Sequence, residues 1–265
     1  MAHPIIIYVP GLLPKPEPAV HRDALSRCLL RGIERVDPEI AGVIENTTGA
    51  FDIVSWTYDF YLEHRDFELD RAAIDNVIEN SEADASDIGE ATAWTRRLTL
   101  WIYRLGDRLP FLIPHIATER MAVHLRDLQR YVKDENGIAE HVRRMLKVPL
   151  RAAAKGGHPV LLIGHSMGSV ICWDTLWQLS REQDSPVAVD LWLTMGSPLG
   201  QRFIRKRIKG ARQSGRDRYP ANIRRWANLA AVGDMTAIDP WLADDFSEMV
   251  DLGLVEAIDD DAIYN

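Results

Sequence analysis

Several protein classes are excluded by what this sequence lacks. It has two cysteines in 265 residues, Cys28 and Cys172, too few for a disulfide framework. Both read as thiols of a reducing compartment, which implies a cytoplasmic protein. No Cys/His cluster has zinc spacing, so no metal is expected, and no internal repeat is visible. The longest apolar run, Ile5–Val9, is far too short to span a bilayer. Only three residues and a proline precede it, so no charged n-region or signal peptide is expected. A basic excess is missing too: 31 Lys and Arg against 39 Asp and Glu give a net charge of −8, which argues against nucleic acid as the main partner.

What is present describes one globular unit, residues 1–265, with 46% apolar and 26% charged residues and length enough for a large core. The stretch Pro159–Ser180 organises the rest. An apolar run, Val160–Ile163, meets Gly164-His165-Ser166-Met167-Gly168, after which Val170, Ile171, Trp173, Leu176, Trp177 and Leu179 recur at helical spacing. A strand feeding directly into a helix through G-x-S-x-G is a nucleophile elbow. The turn is tight enough to force the serine into a strained conformation with its hydroxyl above the sheet. Gly164 and Gly168 leave room where a Cβ would collide with neighbouring elements. The helix begins at the serine, so its free N–H groups and positive dipole end face the place where an oxyanion would form.

Elsewhere, Ile5–Val9 suits a strand buried on both faces. It runs into Pro10-Gly11-Leu12-Leu13 and a proline-rich loop, then into a helix from Val20 on. Phe51–Thr57 is a second strand candidate. Residues 58–130 form a helical region that a simple strand–helix–strand unit does not need, with an acidic connection at Glu79–Glu90 and the motif LPFLIP at Leu109–Pro114. This insertion is expected to be a helical cap over the carboxyl ends of the strands. Asp134–Ala154 reads as a helix kinked at Pro149. Val187–Met195 is a strand ending in Gly196-Ser197-Pro198-Leu199-Gly200, and a basic stretch from Arg202 to Arg218 follows. Arg225–Val232 is a further strand closing on Gly233-Asp234, and Trp241–Val250 is a last helix. The alternation implies an α/β fold with a doubly wound, mostly parallel sheet. Gly11, Ser166, Gly196 and Asp234 all fall at carboxyl ends of strands, where ligands bind in such sheets.

A serine hydroxyl needs a base, an orienting carboxylate and oxyanion donors before it attacks. With Ser166 as nucleophile, the donors are the backbone N–H of Met167 and that of Leu12, in the loop after the first strand. The motifs Val-Pro-Gly-Leu, Gly-His-Ser-Met-Gly, Gly-Ser-Pro-Leu-Gly and Gly-Asp-Met-Thr-Ala together resemble an α/β-hydrolase of the lipase and esterase type. The resemblance covers most of residues 4–240 and leaves out 58–130. It implies that Asp234 is the acid of the triad, with Asp239 a competitor that reads better as the N-cap of the last helix before Pro240. It also implies a carboxylic ester hydrolase without cofactor, acting on a small-molecule or lipid ester. A catalytically inactive binding or scaffold protein of the same fold, and an acyltransferase using the same serine, are the alternatives.

Several conspicuous residues have plainer readings. Ser197 shapes the pocket floor with Gly11, and His165 packs beside the elbow with its ring away from Ser166. Trp94 and Trp101 are core of the insertion, although with Phe111, Leu112 and Ile113 they could form an apolar face for a membrane surface. The basic stretch reads as a solvated face, with a docking site for an anionic headgroup or partner as the lesser alternative. The triad histidine of this fold follows the acid, but no histidine follows His165. The expectation is that the chain stops short and the base lies beyond Asn265, with His115 or His124 of the cap as substitutes.

Overall fold

The structure, a computed structural model, describes residues 2–80, 85–93, 119–234 and 239–264. Its apolar runs become six parallel strands: β1 Ile5–Val9, β2 Phe51–Ile53, β3 Val160–His165, β4 Val189–Met195, β5 Ile223–Ala231 and β6 Ile258–Ile263. Their order across the sheet is β2-β1-β3-β4-β5-β6. Every neighbouring pair is parallel, with Val9 level with Gly164 and His165 level with Met195. From β1 the chain steps outward to β2 and returns on the opposite flank as β3. The winding therefore reverses between β1 and β3, and a parallel sheet opens a crevice at the carboxyl ends of such strands. The expected doubly wound α/β architecture is what forms.

β-branched residues dominate β1, and Ile6, Ile7 and Val9 are buried, as burial on both faces of a parallel sheet requires. The helix Met167–Leu179 after β3 is apolar almost all round, with Val170, Ile171, Trp173, Leu176 and Leu179 in the core. It sits against the preceding helix, Ile138–Gly156, whose Leu146 and Leu150 are fully buried. Trp173 meets Trp192 of β4, Trp226 of β5, Tyr219 and Phe246 at centroid separations of 5.0 to 6.3 Å. Trp192 and Trp226 stack at 4.5 Å. These rings bind the elbow helix to the β4–β5 half of the sheet.

One strand was not expected, and two expectations are corrected. Ile258–Ile263 adds β6 beside β5, with Trp226 level with Ile258 and Ala231 level with Ile263. Its Asp259-Asp260-Asp261 run hid it, because an edge strand tolerates charge that a central strand does not. The last helix is two short ones, Leu242–Asp245 and Ser247–Asp251, broken at Phe246, where φ is −121°. Asp239 is not the cap of the first of these. Asp260 on β6 accepts the Leu242 and Ala243 N–H groups at 3.0 and 2.7 Å, whereas Asp239 reaches only Trp241 N–H, at 3.4 Å.

The described part of 58–130 is helical, with Glu68–Glu79, Ala85–Thr92 and Glu119–Val132 following Trp56–Tyr61. Trp94, Trp101, Phe111, Leu112, Ile113 and His115 lie outside the described residues. Among the described residues no helix is long and apolar enough to cross a membrane.

Glycine spacing yields a paired prediction. A Cβ on Gly168 would lie 2.0 Å from the Val9 carbonyl oxygen, whereas one on Gly32 would meet nothing within 4 Å. Gly168→Ala is therefore expected to destabilise by about 1–3 kcal/mol. Gly32→Ala, inside the helix Pro18–Val36, should stabilise by about 0.5–1 kcal/mol. Urea unfolding of the two variants checks both signs.

Candidate active site

Ser166 stands between the last residue of β3 and the first of the helix Met167–Leu179, at φ 50° and ψ −121°. A non-glycine residue seldom adopts this conformation, which costs about 1–3 kcal/mol and persists only where neighbours over-determine it. The neighbours do so here. Ser166 N–H donates to Met195 O at 2.9 Å, continuing the β3–β4 ladder past the end of the strand. Its carbonyl accepts from Ser169 N–H at 3.0 Å and Ser169 Oγ at 2.6 Å. Ser169 Oγ in turn bonds Ser197 Oγ at 2.8 Å, and Ser197 Oγ accepts Leu199 N–H at 3.2 Å. Ser197 is thus a buried brace of the turn, linking the loop after β4 to the elbow. Ser166 itself is partly exposed, and its hydroxyl makes no hydrogen bond among the described residues.

Glycines draw the loop after β1 against this turn. A Cβ at Gly11 would approach Ser166 Cβ at 3.0 Å, and one at Gly164 would approach Ser169 Cα at 2.8 Å. Two long-range bonds fix the loop on either side of Gly11 and Leu12. Trp56 Nε1 donates to Pro10 O at 2.9 Å. Leu13, held at φ 75°, donates its N–H to Tyr61 Oη at 3.1 Å, and Tyr61 donates to Asp127 Oδ2 at 2.9 Å. The N–H groups of Leu12 and Met167 make no hydrogen bond among the described residues; Met167 follows Ser166 directly, and Leu12 follows the Gly11 that approaches it.

On the other side, Gly196 sits at φ 53°. A Cβ there would meet Asp234 Oδ2 at 2.8 Å, with His165 Cδ2 and Nε2 both 3.9 Å away. The imidazole of His165 therefore spans from Gly11 towards Gly196 and Asp234. Asp234 is anchored by its N–H donating to Ala231 O at 3.0 Å. Gly11, His165, Ser166, Met167, Gly196 and Asp234 are thus gathered at one edge of the sheet.

Sequence reasoning passed over Lys15 and His21, which complete the electrostatics. Lys15 Nζ donates to Leu12 O at 3.0 Å. Burial lowers its pKa, helped by Arg65 and opposed by Asp70. Burial and then Lys15 depress His21 to about 4. His165 is also lowered, by burial first and then by Lys15, against an opposing pull from Asp234. Nothing in the spacing of a proline-rich loop announces a lysine beside the elbow.

The other described histidine rings are engaged elsewhere. His3 and His158 meet with tilted rings at 4.6 Å, His64 stacks on Tyr58, and His141 bonds Asp59 at 2.6 Å. Among the described residues no group of three His, Cys, Asp or Glu could hold a metal ion. No family model matches the chain, and comparisons with curated proteins and with solved structures find no significant match.

The charges around His165 give a signed prediction. Its ring should titrate below 6.5 in a histidine-resolved NMR titration. Lys15→Met should raise that midpoint and Asp234→Asn should lower it. Two variants that leave the midpoint where it was would separate both groups from the imidazole.

Proposed function

We propose that the protein is a serine hydrolase of the α/β-hydrolase type, cleaving a carboxylic ester through an acyl-enzyme on Ser166. The observation that carries this reading is the backbone of Ser166, held at φ 50° between a buried parallel strand and a buried helix. Strain of this kind points to function when the surroundings are built to keep it, and three serines and a ladder hydrogen bond maintain it here.

In this reading Ser166 Oγ attacks the ester carbonyl. The oxygen that becomes negative is received by the N–H groups of Met167, at the helix N-terminus, and of Leu12, in the loop pinned by Trp56 and Tyr61. Removing one such donor typically costs about 2.7–4 kcal/mol of transition-state stabilisation. Asp234 takes the part of the orienting carboxylate. His165 is a poor candidate for the base, since burial and Lys15 weaken its hold on a proton and its ring faces Gly196 rather than open space. The base is assigned to a histidine outside the described side chains, with His115 and His124 as candidates. Water or an alcohol could accept the acyl group, giving hydrolysis or acyl transfer. The described part of 58–130 meets the loop after β1 through Tyr61 Oη, which accepts Leu13 N–H at 3.1 Å, and through Arg65 N–H, which donates to Lys15 O at 3.0 Å, and this contact supports its reading as part of a cap.

One observation favours a second reading, an inactive member of the fold used for binding: of the described histidine rings, none hydrogen-bonds Ser166. A fluorophosphonate probe separates the two, because it labels only an activated serine. The hydrolase predicts labelling of the native protein, turnover of p-nitrophenyl esters, and loss of both in Ser166→Ala with the thermal midpoint kept. An unlabelled, well-folded native protein would leave the binding reading.

Tyr61→Phe removes the hydroxyl that accepts Leu13 N–H while keeping the ring. It is expected to lower kcat about 3- to 10-fold, the value of one hydrogen bond, with KM little changed. A KM effect alone would mean that Tyr61 shapes binding rather than the oxyanion donors.

A further inference from the structure

A cavity of about 430 Å³ lies apart from the elbow, against the helix Met167–Leu179 two turns beyond its start. Asp174 and Trp177 line it from that helix, Tyr131 and Arg143 from the helices before β3, and residues 206–213 from the loop after β4. Five of its lining residues are cationic, namely Arg143, Lys206, Arg207, Lys209 and Arg212, of which Arg143 is paired with Glu140 at 2.9 Å, and two are acidic. That excess stands out in a chain whose net charge is −8.

Both acids are spent on the protein. Asp134 Oδ1 accepts the Ala139 and Glu140 N–H groups at 2.8 and 3.1 Å, capping the helix Ile138–Gly156. Asp174 accepts Lys209 N–H at 2.7 Å and Tyr131 Oη–H at 3.2 Å, and faces Arg143 at 3.8 Å. The basic stretch, by contrast, divides into two sets. Arg205 is ion-paired with Asp245, Arg216 donates to Leu252 O, and Arg207 lies 3.6 Å from the centre of the Phe203 ring. Lys206, Lys209 and Arg212 have no carboxylate within 4.0 Å among the described residues. Like charges gathered round one cavity repel, and a bound anion relieves that repulsion while accepting several charge-assisted hydrogen bonds.

We propose that this cavity is a binding site for a small phosphorylated molecule, held by Lys206, Lys209 and Arg212 over a floor formed by Arg143, Tyr131 and Asp174. The volume falls within the range of about 300–1,000 Å³ usual for small-molecule sites, which suits a free metabolite. The site makes no use of Ser166, and its occupancy is independent of the hydrolase reading.

Isothermal titration of the full chain with sodium pyrophosphate at low ionic strength tests the proposal. Saturable 1:1 binding is expected, unchanged in Ser166→Ala and weakened at least about tenfold in Lys209→Ala/Arg212→Ala. Exposed Lys206→Gln serves as a second variant should the double variant fold poorly. Arg224→Ala/Arg225→Ala, two exposed cations on β5 paired with Glu256 and Asp259, is the control for diffuse charge and should bind as the native protein does. The proposal is overturned by the absence of saturable binding or by an equal loss in the control. Binding to vesicles carrying a phosphoinositide without binding to pyrophosphate would overturn it as well, in favour of a lipid headgroup.

Discussion

The start of the elbow helix and the end of β1 approach each other closely enough to exclude any side chain. Gly168 lies so near the Val9 and Pro10 carbonyls that no side chain fits between them. This contact sets how far the helix Met167–Leu179 can descend on the sheet, and with it where Ser166 stands above the β1–β3 crevice. Gly164 against Ser169 and Gly11 against Ser166 repeat the constraint within one turn of the same point. The backbone approach at Gly168 leaves no room for a side chain, and the Ser169 and Ser197 hydroxyls, with Trp56 and Tyr61, hold the turn and the loop around it.

The strand–turn–helix junction that carries Gly168 is legible because it is local, although its contact with Val9 is not. The pattern apolar run, G-x-S-x-G and helical periodicity specifies the junction within twenty residues, and β1, β4 and β5 follow from apolar stretches that only a doubly covered sheet would bury. β6 was not legible for the opposite reason, since two aspartates of Asp259-Asp260-Asp261 answer to something distant. Asp259 pairs with Arg225 at 3.0 Å, and Asp260 accepts from Asn228 Nδ2 at 2.8 Å as well as capping the helix at Leu242. A run of three acids reads as solvated tail until its partners on β5 are in place.

The candidate site divides along the same line. Ser166, Met167 and Asp234 follow from motifs whose members are near in sequence. The residues that hold the loop after β1 do not: Leu13 is 48 positions from Tyr61, and Tyr61 is 66 from Asp127. Tyr61 is half-buried, and its hydroxyl spends its donor on a buried carboxylate and its acceptor on a backbone N–H, leaving the loop little freedom to rotate its amides. Burial and Asp127 push the phenol well above its ordinary range, so it remains a neutral donor and acceptor at any physiological pH. The helical region beyond β2 is thereby tied to the backbone beside Ser166 whatever else it covers.

Electrostatics at this edge point one way. Lys15 and His165 both have lowered pKa values, and burial is the first cause of each. Burial penalises charge of either sign, and the Lys15 contribution to the His165 shift adds a positive field that favours negative charge beside it. Under the hydrolase reading this has two effects on the chemistry. It weakens His165 as a proton acceptor. It also favours the oxygen that turns negative between Leu12 and Met167, whose N–H groups already point partial positive charge there. Asp234 works against the first effect and is too far round the sheet edge, beyond Gly196, to be the immediate neighbour of that oxygen. The division of labour is therefore spatial, with positive potential on the β1 side of Ser166 and the carboxylate on the β4–β5 side, and a nucleophilic serine between two oxyanion donors and an acid needs that polarity.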